Sequence, residues 1–181
     1  FNSDTNMGLY RGGTDILRFV TAGVDRLQIA AGGSMNTPTL GTSNFRAGVG
    51  AGNAIVSGGN YNVLVGDQSG DGLTTGVGNT ALGNLSLSGV CTGNHNVALG
   101  QGAMTGNTTG YQNTAVGKSA LYTQSTGINN TALGWQAGYA VSTGTGNTLV
   151  GVNAGSGLST PNQNTFVGVG SGSTVTSGAN N

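Results

Sequence analysis

The acidic side chains that could bind a metal ion lie in one short segment. Asp67 and Asp71 belong to DQSGDG, whose alternating oxygen-bearing residues resemble the first half of a calcium-binding loop. Gly78 stands at the twelfth position, where such a loop needs a bidentate Glu. Ser69 also belongs to a series of small residues spaced seventeen positions apart, which we expect to be buried. The segment therefore favours a solvated turn over a calcium site.

The single His and the single Cys are the other reactive side chains. At intervals of seventeen residues the position of His95 is occupied by Gly, Gln or Asn, which indicates a surface turn. One His per chain would build a metal site only on a symmetry axis. Cys91 replaces a Ser or Thr and has no His or Asp pattern beside it. A passive thiol is therefore a plainer interpretation than a nucleophile. The sequence predicts no catalytic residue, no metal ligand and no cofactor.

Four aromatic residues are the candidate receptor contacts: Tyr111, Tyr122, Trp135 and Tyr139. Tyr122 and Tyr139 are seventeen residues apart, and we expect their rings to stack. Exposed aromatic faces on a neutral polar rod could hold a glycan or a protein partner. The plainer interpretation is that they cover a subunit interface.

A repeat of seventeen residues must position these side chains. Its marker is an Asn that opens a phrase such as NTALG or NTAVG, at Asn62, Asn79, Asn96, Asn113, Asn130, Asn147 and Asn164, with Asn181 in the same register. A more degenerate copy, NFRAG, starts at Asn44, eighteen residues before Asn62. A fixed period without insertions is typical of one structural unit stacked on copies of itself, and it predicts a β-solenoid.

The columns of the repeat predict which way its side chains point. Counting from each Asn as offset zero, offset three is aliphatic from Val65 to Val167 and shares a face with offset one, because strand side chains alternate. Offset two is apolar as well, and strands that are apolar on both faces are usually covered on both sides. We expect offset three inside the coil and offset two against a partner chain. Frequent Gly and Thr favour two short strands and two tight turns per unit, without a helix.

Two polar columns have structural interpretations. The Asn column can form a ladder of amides that bond to each other and to turn backbone. Offset thirteen is Thr from Thr75 to Thr160, and such a regularly spaced row of Thr side chains could match an ice lattice. An ice-binding face would need a second outward column, and we expect offset twelve to point the opposite way. Stacked hydroxyls before a turn are the plainer interpretation.

Composition limits the classes of partner. The 181 residues include 37 Gly, 6% are charged and the formal net charge is zero, which provides no electrostatic footprint for nucleic acid or an anionic membrane. Gly without a three-residue period excludes collagen, and apolar residues at fixed offsets argue against a disordered linker. Six of the ten charged residues fall before residue 34. We predict a β-strand region over 1–33, a connector over 34–43 and the solenoid over 44–181, with its last repeat unfinished.

The phrases NTAVGKSAL and NTALGWQAG resemble the head repeats of trimeric autotransporter adhesins and, more strongly, the NTAxG repeats of phage tail fibres. The stretch DTNMGLYRGGTDILRFVTAGVDRLQI resembles segments that precede such repeats in tail fibres. This resemblance implies a left-handed parallel β-roll, a homotrimer, virion localisation, and fibre, baseplate or host-surface partners. The expected function is a fibre shaft that contributes to host attachment. The alternatives are an adhesin head on a bacterial surface and an ice-binding solenoid.

Overall fold

The computed structural model describes residues 8–11, 17–21, 24–29, 35–36, 41 and 43–181, and all regular structure within them is β. The first four strands form an antiparallel sheet in chain order: β1 (Gly8–Arg11), β2 (Leu17–Thr21), β3 (Val24–Ile29) and β4 (Met35–Asn36). The expected turn at Ala22 and Gly23 and residues 34, 37–40 and 42 of the expected connector lie outside the described residues.

Residues from Asn44 onward form a parallel β-solenoid, as the period predicts. Its eight strands are β5 (Phe45–Ala47), β6 (Val63–Val65), β7 (Thr80–Leu82), β8 (Val97–Leu99), β9 (Thr114–Val116), β10 (Thr131–Leu133), β11 (Thr148–Val150) and β12 (Thr165–Val167). They lie in sequence order in one sheet, and each residue pairs with its equivalent one repeat away, as Thr114 does with Thr131. At a spacing of about 4.8 Å, seven strand intervals span roughly 34 Å.

The two faces of each strand are the reverse of those expected from the sequence. Offset two points into the coil, where Leu64, Ala98 and Leu149 are fully buried. Offset three points outward, with Leu82 50% and Val167 66% exposed. The pattern alone could not settle this, because both columns are apolar. Interior width decides it: stacked Ala at offset two fits a narrow coil that stacked Leu and Val would overfill.

Each coil holds one three-residue strand, not the two that we expected. The opposite side has only isolated bridges in the described solenoid, at Leu73–Cys91, Thr145–Asn162 and Asn162–Ala179. The reason is backbone conformation, because offsets six and eight adopt a left-handed conformation in successive coils, as at Ser119 (φ 57°) and Leu121 (φ 49°). Such residues bend the chain and prevent a second extended segment.

The side chains of offsets two and eight fill the interior together, so that a large side chain at one of them goes with a small one at the other. Where offset two is Leu64, offset eight is Gly70, and a β-carbon there would lie 2.7 Å from Leu64 Cδ2. In three of the four coils with Ala at offset two, those from Asn79 to Asn129, offset eight is a buried Leu or Met. In the fourth, Ala132 goes with Gly138, and the space is taken by neighbouring coils: a β-carbon on Gly138 would lie 2.9 Å from Leu121 Cδ2 and 2.7 Å from Leu149 Cδ1. The buried Leu and Met side chains of offset eight keep a positive φ of 49–53°. Burial of a large side chain therefore outweighs the cost of a left-handed conformation.

The turn that follows each strand requires Gly at offset four because successive turns stack backbone on backbone. Gly100 has a φ of 134°, and a β-carbon there would lie 2.6 Å from the carbonyl carbon of Gly117. A side chain at this position would separate the two coils.

Two irregularities interrupt the period, and both lie between offsets eleven and fourteen. In the first coil the Asn44 side chain bonds to Gly59 O, fifteen positions on, where later coils use fourteen. In the third coil Cys91 pairs with Leu73 of the second coil, eighteen positions earlier, so that Cys91 is fully buried and Val90 is 72% exposed. The strand side of the solenoid keeps its register through both.

Candidate functional site

The Asn column is a continuous buried ladder. In the middle of it, Asn113 Nδ2 donates to Asn96 Oδ1 at 3.2 Å and to Gly127 O at 2.9 Å. Asn96 Oδ1 also accepts the backbone N–H of Asn113 at 3.0 Å. The same three bonds recur from Asn62 to Asn164. Every amide in the series points the same way along the solenoid, so the ladder is directional and holds the coils in register.

The outward face of the sheet is an uncharged apolar strip. We call it the aliphatic ribbon and define it by the offset-three residues Val65, Leu82, Leu99, Val116, Leu133, Val150 and Val167, each of which is half-buried or exposed. Val or Thr at offset one borders it, from Val63 to Thr165. Neither column contains a charged residue from Val63 onward. Contiguous apolar surface of this kind is typical of interaction sites in proteins.

The four candidate aromatic residues do not form one cluster. Tyr122 and Tyr139 stack, with ring centroids 5.1 Å apart and an interplanar angle of 1°. Trp135 is exposed at offset five, next to the aliphatic ribbon, and Tyr111 is exposed at offset fifteen. Only the tyrosine pair makes an aromatic contact within the described residues. The surface therefore has two separate aromatic features: a stacked pair, and a Trp beside the ribbon.

Apart from the buried Cys91, the residues of offset twelve lie on the outer surface together with those of offset thirteen, which corrects the expectation that offset twelve points inward. The turn geometry there does not alternate as a strand would. Offset-twelve hydroxyls donate to the carbonyl of the same column one coil on, as Ser125 Oγ does to Ser142 O at 3.2 Å and Ser142 Oγ to Ser159 O at 3.0 Å. Thr126 and Thr143, at offset thirteen, are exposed. One column is thus bound to the backbone and the other faces solvent.

The residues considered for metal binding or catalysis lie in different surroundings. Ser69 is fully buried, as expected, and its Oγ donates to Ala81 O at 3.1 Å. Asp67 Oδ1 accepts the Val49 N–H at 3.2 Å. His95 is exposed with a φ of 56°. Within the described residues, no group of three His, Cys, Asp or Glu side chains could hold a metal ion.

Cys91 is a buried thiol inside the coil. Burial raises its pKa to about 11, and its Sγ contacts the Gly93 carbonyl oxygen at 3.9 Å. The neutral thiol is the dominant form at physiological pH, and the thiolate is the nucleophilic form.

Sequence reasoning missed three interior polar residues. Arg46 stands at offset two of the first coil, where its Nη1 donates to Gly52 O at 2.9 Å and burial lowers the pKa of the guanidinium. Asn107 and Gln124 stand at offset eleven, fully buried, between Cys91 and the aliphatic residues of later coils. Gln124 Oε1 is buried without a hydrogen-bond partner. The column showed mixed residue types, and only its burial in the structure identifies it as interior.

No protein-family model, curated protein or solved structure matches this chain. In the part of the chain that the structure describes, no helix has the length and apolar character needed to cross a membrane. The geometry therefore carries the functional argument.

Proposed function

We propose that this chain is a non-enzymatic shaft segment of a trimeric fibre of the phage tail-fibre type, with a left-handed coil, and that it contributes to host attachment. Three copies lie side by side, and each buries its aliphatic ribbon against the others. The single observation that carries the proposal is the ribbon, an uncharged apolar strip of half-buried and exposed side chains about 29 Å long. The expected partner chain covers offset three, in place of offset two.

The length and flatness of the ribbon favour a partner that is equally long and repetitive. Each coil contributes the same pattern at the same spacing, so a second copy of the chain fits the ribbon coil by coil. The area that one ribbon offers to one neighbour is modest beside the roughly 800 Å² per partner of a standard interface. An arrangement in which each chain contacts two others buries more of each chain than a pair would, which supports a trimer.

The offset-five column, at the edge of the ribbon, favours parallel chains. It is polar in the coils from Asp67 to Lys118 and apolar in the coils from Trp135 to Val169. In parallel register the apolar coils of one chain meet the apolar coils of the next. In an antiparallel pair Val152 would lie beside Asp67, which would place a carboxylate against an apolar surface.

The test is the mass of the purified chain in solution, measured by light scattering after size exclusion and by mobility in SDS without boiling. We expect three times the chain mass of 17.7 kDa. Leu99→Asp combined with Leu133→Asp places two carboxylates on the ribbon and should give monomers, because burying an unpaired charge is strongly unfavourable. A wild-type chain that is monomeric in both measurements would overturn the proposal.

The matched control places the same charges in the same two coils but off the ribbon. Thr109→Asp combined with Thr143→Asp substitutes exposed threonines of offset thirteen. We expect this variant to keep the wild-type mass. If both double variants dissociate equally, net charge and not the ribbon controls assembly. Attachment is tested separately, by competition of the purified trimer with virions for host cells.

A further inference from the structure

The Tyr122–Tyr139 stack ends at Tyr139, which is half-buried. The rings are parallel and one coil apart, with centroids separated by 5.1 Å. A β-carbon on Gly102 would lie 3.6 Å from Tyr122 Cε2, so the Tyr122 ring leans over the preceding coil. Tyr139 covers the other side of Tyr122. Because the repeat continues in the same direction, the outer face of Tyr139 is turned toward the equivalent position of the next coil, which is Ser156.

Beyond Tyr139 the side chains at offset nine are small. Offset nine is Ser156 and then Ser173 in the next two coils, and Gly155 and Gly157 flank Ser156. Both serines are half-buried, and neither hydroxyl makes a hydrogen bond with another described residue. An aromatic wall therefore stands at the edge of a shallow floor that carries two available hydroxyls. We call this feature the tyrosine step, formed by Tyr139, Ser156 and Ser173.

We propose that the tyrosine step binds a neutral hexopyranose ring of a glycan. The apolar C–H face of such a sugar packs against an aromatic ring, and its hydroxyls pair with serine hydroxyls, which donate and accept. The chain has no charged residue between positions 119 and 181, so nothing near the step complements an anionic or cationic ligand. This inference deepens the proposed attachment role and rests on it for its biological setting, while the binding itself is measurable on any folded form of the chain.

The test is ligand-observed saturation-transfer NMR with two disaccharides, lactose and cellobiose, and the purified full chain. We expect transfer to the C–H protons of one hexose ring with the wild-type chain. Tyr139→Ser should reduce binding about tenfold, because it removes the wall. Ser156→Leu should also reduce transfer, because an aliphatic side chain would cover the Tyr139 face and remove one hydroxyl.

Tyr139→Phe is the matched control, since it keeps the ring and loses only the phenol hydroxyl. We expect it to retain transfer within about twofold, an effect well below the tenfold loss expected without the ring. Circular dichroism and thermal unfolding of each variant show whether it is folded. No transfer to either sugar with the wild-type chain would overturn the proposal, and so would equal transfer with folded Tyr139→Ser.

The mass of the chain in the same samples separates this inference from the proposed function. A trimer that binds neither sugar would keep the shaft and remove the tyrosine step as a glycan site. A monomer that binds one of them would do the reverse. Both results are informative, because the ribbon and the step use different columns of the repeat.

Discussion

Exchanging the residues at offsets two and eight within one coil tests how the interior is packed. Leu64 fills the coil and leaves room only for Gly70, whose added β-carbon would meet Leu64 Cδ2 at 2.7 Å. Two coils later the same volume is supplied from the other side, by Ala98 and Met104. We therefore expect the double change Leu64→Ala with Gly70→Leu to be tolerated far better than its two single changes suggest.

The magnitudes follow from burial and backbone conformation. Leu64→Ala removes a fully buried side chain and should cost about 2–5 kcal/mol of unfolding free energy. Gly70→Leu places a side chain at a φ of 58° and against Leu64. That change should cost roughly 1–2 kcal/mol for the left-handed conformation and about 1–3 kcal/mol for overpacking. In the double variant the cavity and the clash offset each other, so the coupling energy should be about 2–3 kcal/mol in favour of the pair.

The assay is urea unfolding followed by circular dichroism, at one protein concentration, for the wild type, both single variants and the double variant. The matched control combines Leu64→Ala with Gly155→Leu, in a coil five repeats away, where the new side chain meets Leu149 and Leu158 instead. Changes this far apart should add within about 0.5 kcal/mol. If the Leu64 and Gly70 changes are also additive, the interior does not exchange volume between offsets two and eight, and the packing argument is wrong.

Three further predictions concern the polar interior. Asn113→Asp removes the two Nδ2 donors and places a carboxylate against Gly127 O, so it should cost about 3–5 kcal/mol near neutral pH in urea unfolding. Because burial raises the folded-state pKa of such an acid, the variant should gain stability as pH falls toward the unfolded value of about 3.9, and no gain would contradict the buried ladder. Gln124→Leu should raise the unfolding free energy by about 1–2 kcal/mol, because it removes a buried Oε1 that has no hydrogen-bond partner. Gly127 O keeps its Asn113 donor in this variant. A loss of stability in urea unfolding would indicate that Oε1 is satisfied. The thiol of Cys91 should react with a chromogenic disulfide only in denaturant, because burial raises its pKa to about 11, whereas Thr75→Cys in a Cys91→Ser chain should react at once.

The period and the residue columns were sufficient to predict a parallel solenoid with stacked coils. An Asn every seventeen residues, with Gly at offset four, leaves few other arrangements for a chain so poor in helix formers. Stacking of Tyr122 on Tyr139 also followed from their shared column, and the structure confirms it. These features depend on translation from coil to coil, which a repeat encodes directly.

The assignment of inner and outer faces could not be predicted from hydrophobicity, because offsets two and three are both apolar. Interior width is a property of the closed coil, and it depends on offset eight, where Leu121 fills the space that Ala115 leaves. The irregularity that buries Cys91 could not be predicted from the sequence for a related reason. Leu73 and Cys91 are eighteen positions apart, but Asn107, whose Nδ2 donates to Cys91 Sγ at 3.5 Å, is only sixteen positions further on, so the overall period does not change.

Both places where the period slips lie on the side of the coil away from the strand, which has a consequence for how such a chain can vary. An extra residue near Val56 or Val90 leaves the Asn ladder and the aliphatic ribbon in register. Loop insertions at these two places should therefore be tolerated, whereas an insertion within a strand would move the ribbon and the ladder together. The solenoid thus separates a side on which length is fixed by stacking from a side on which new surface can be added.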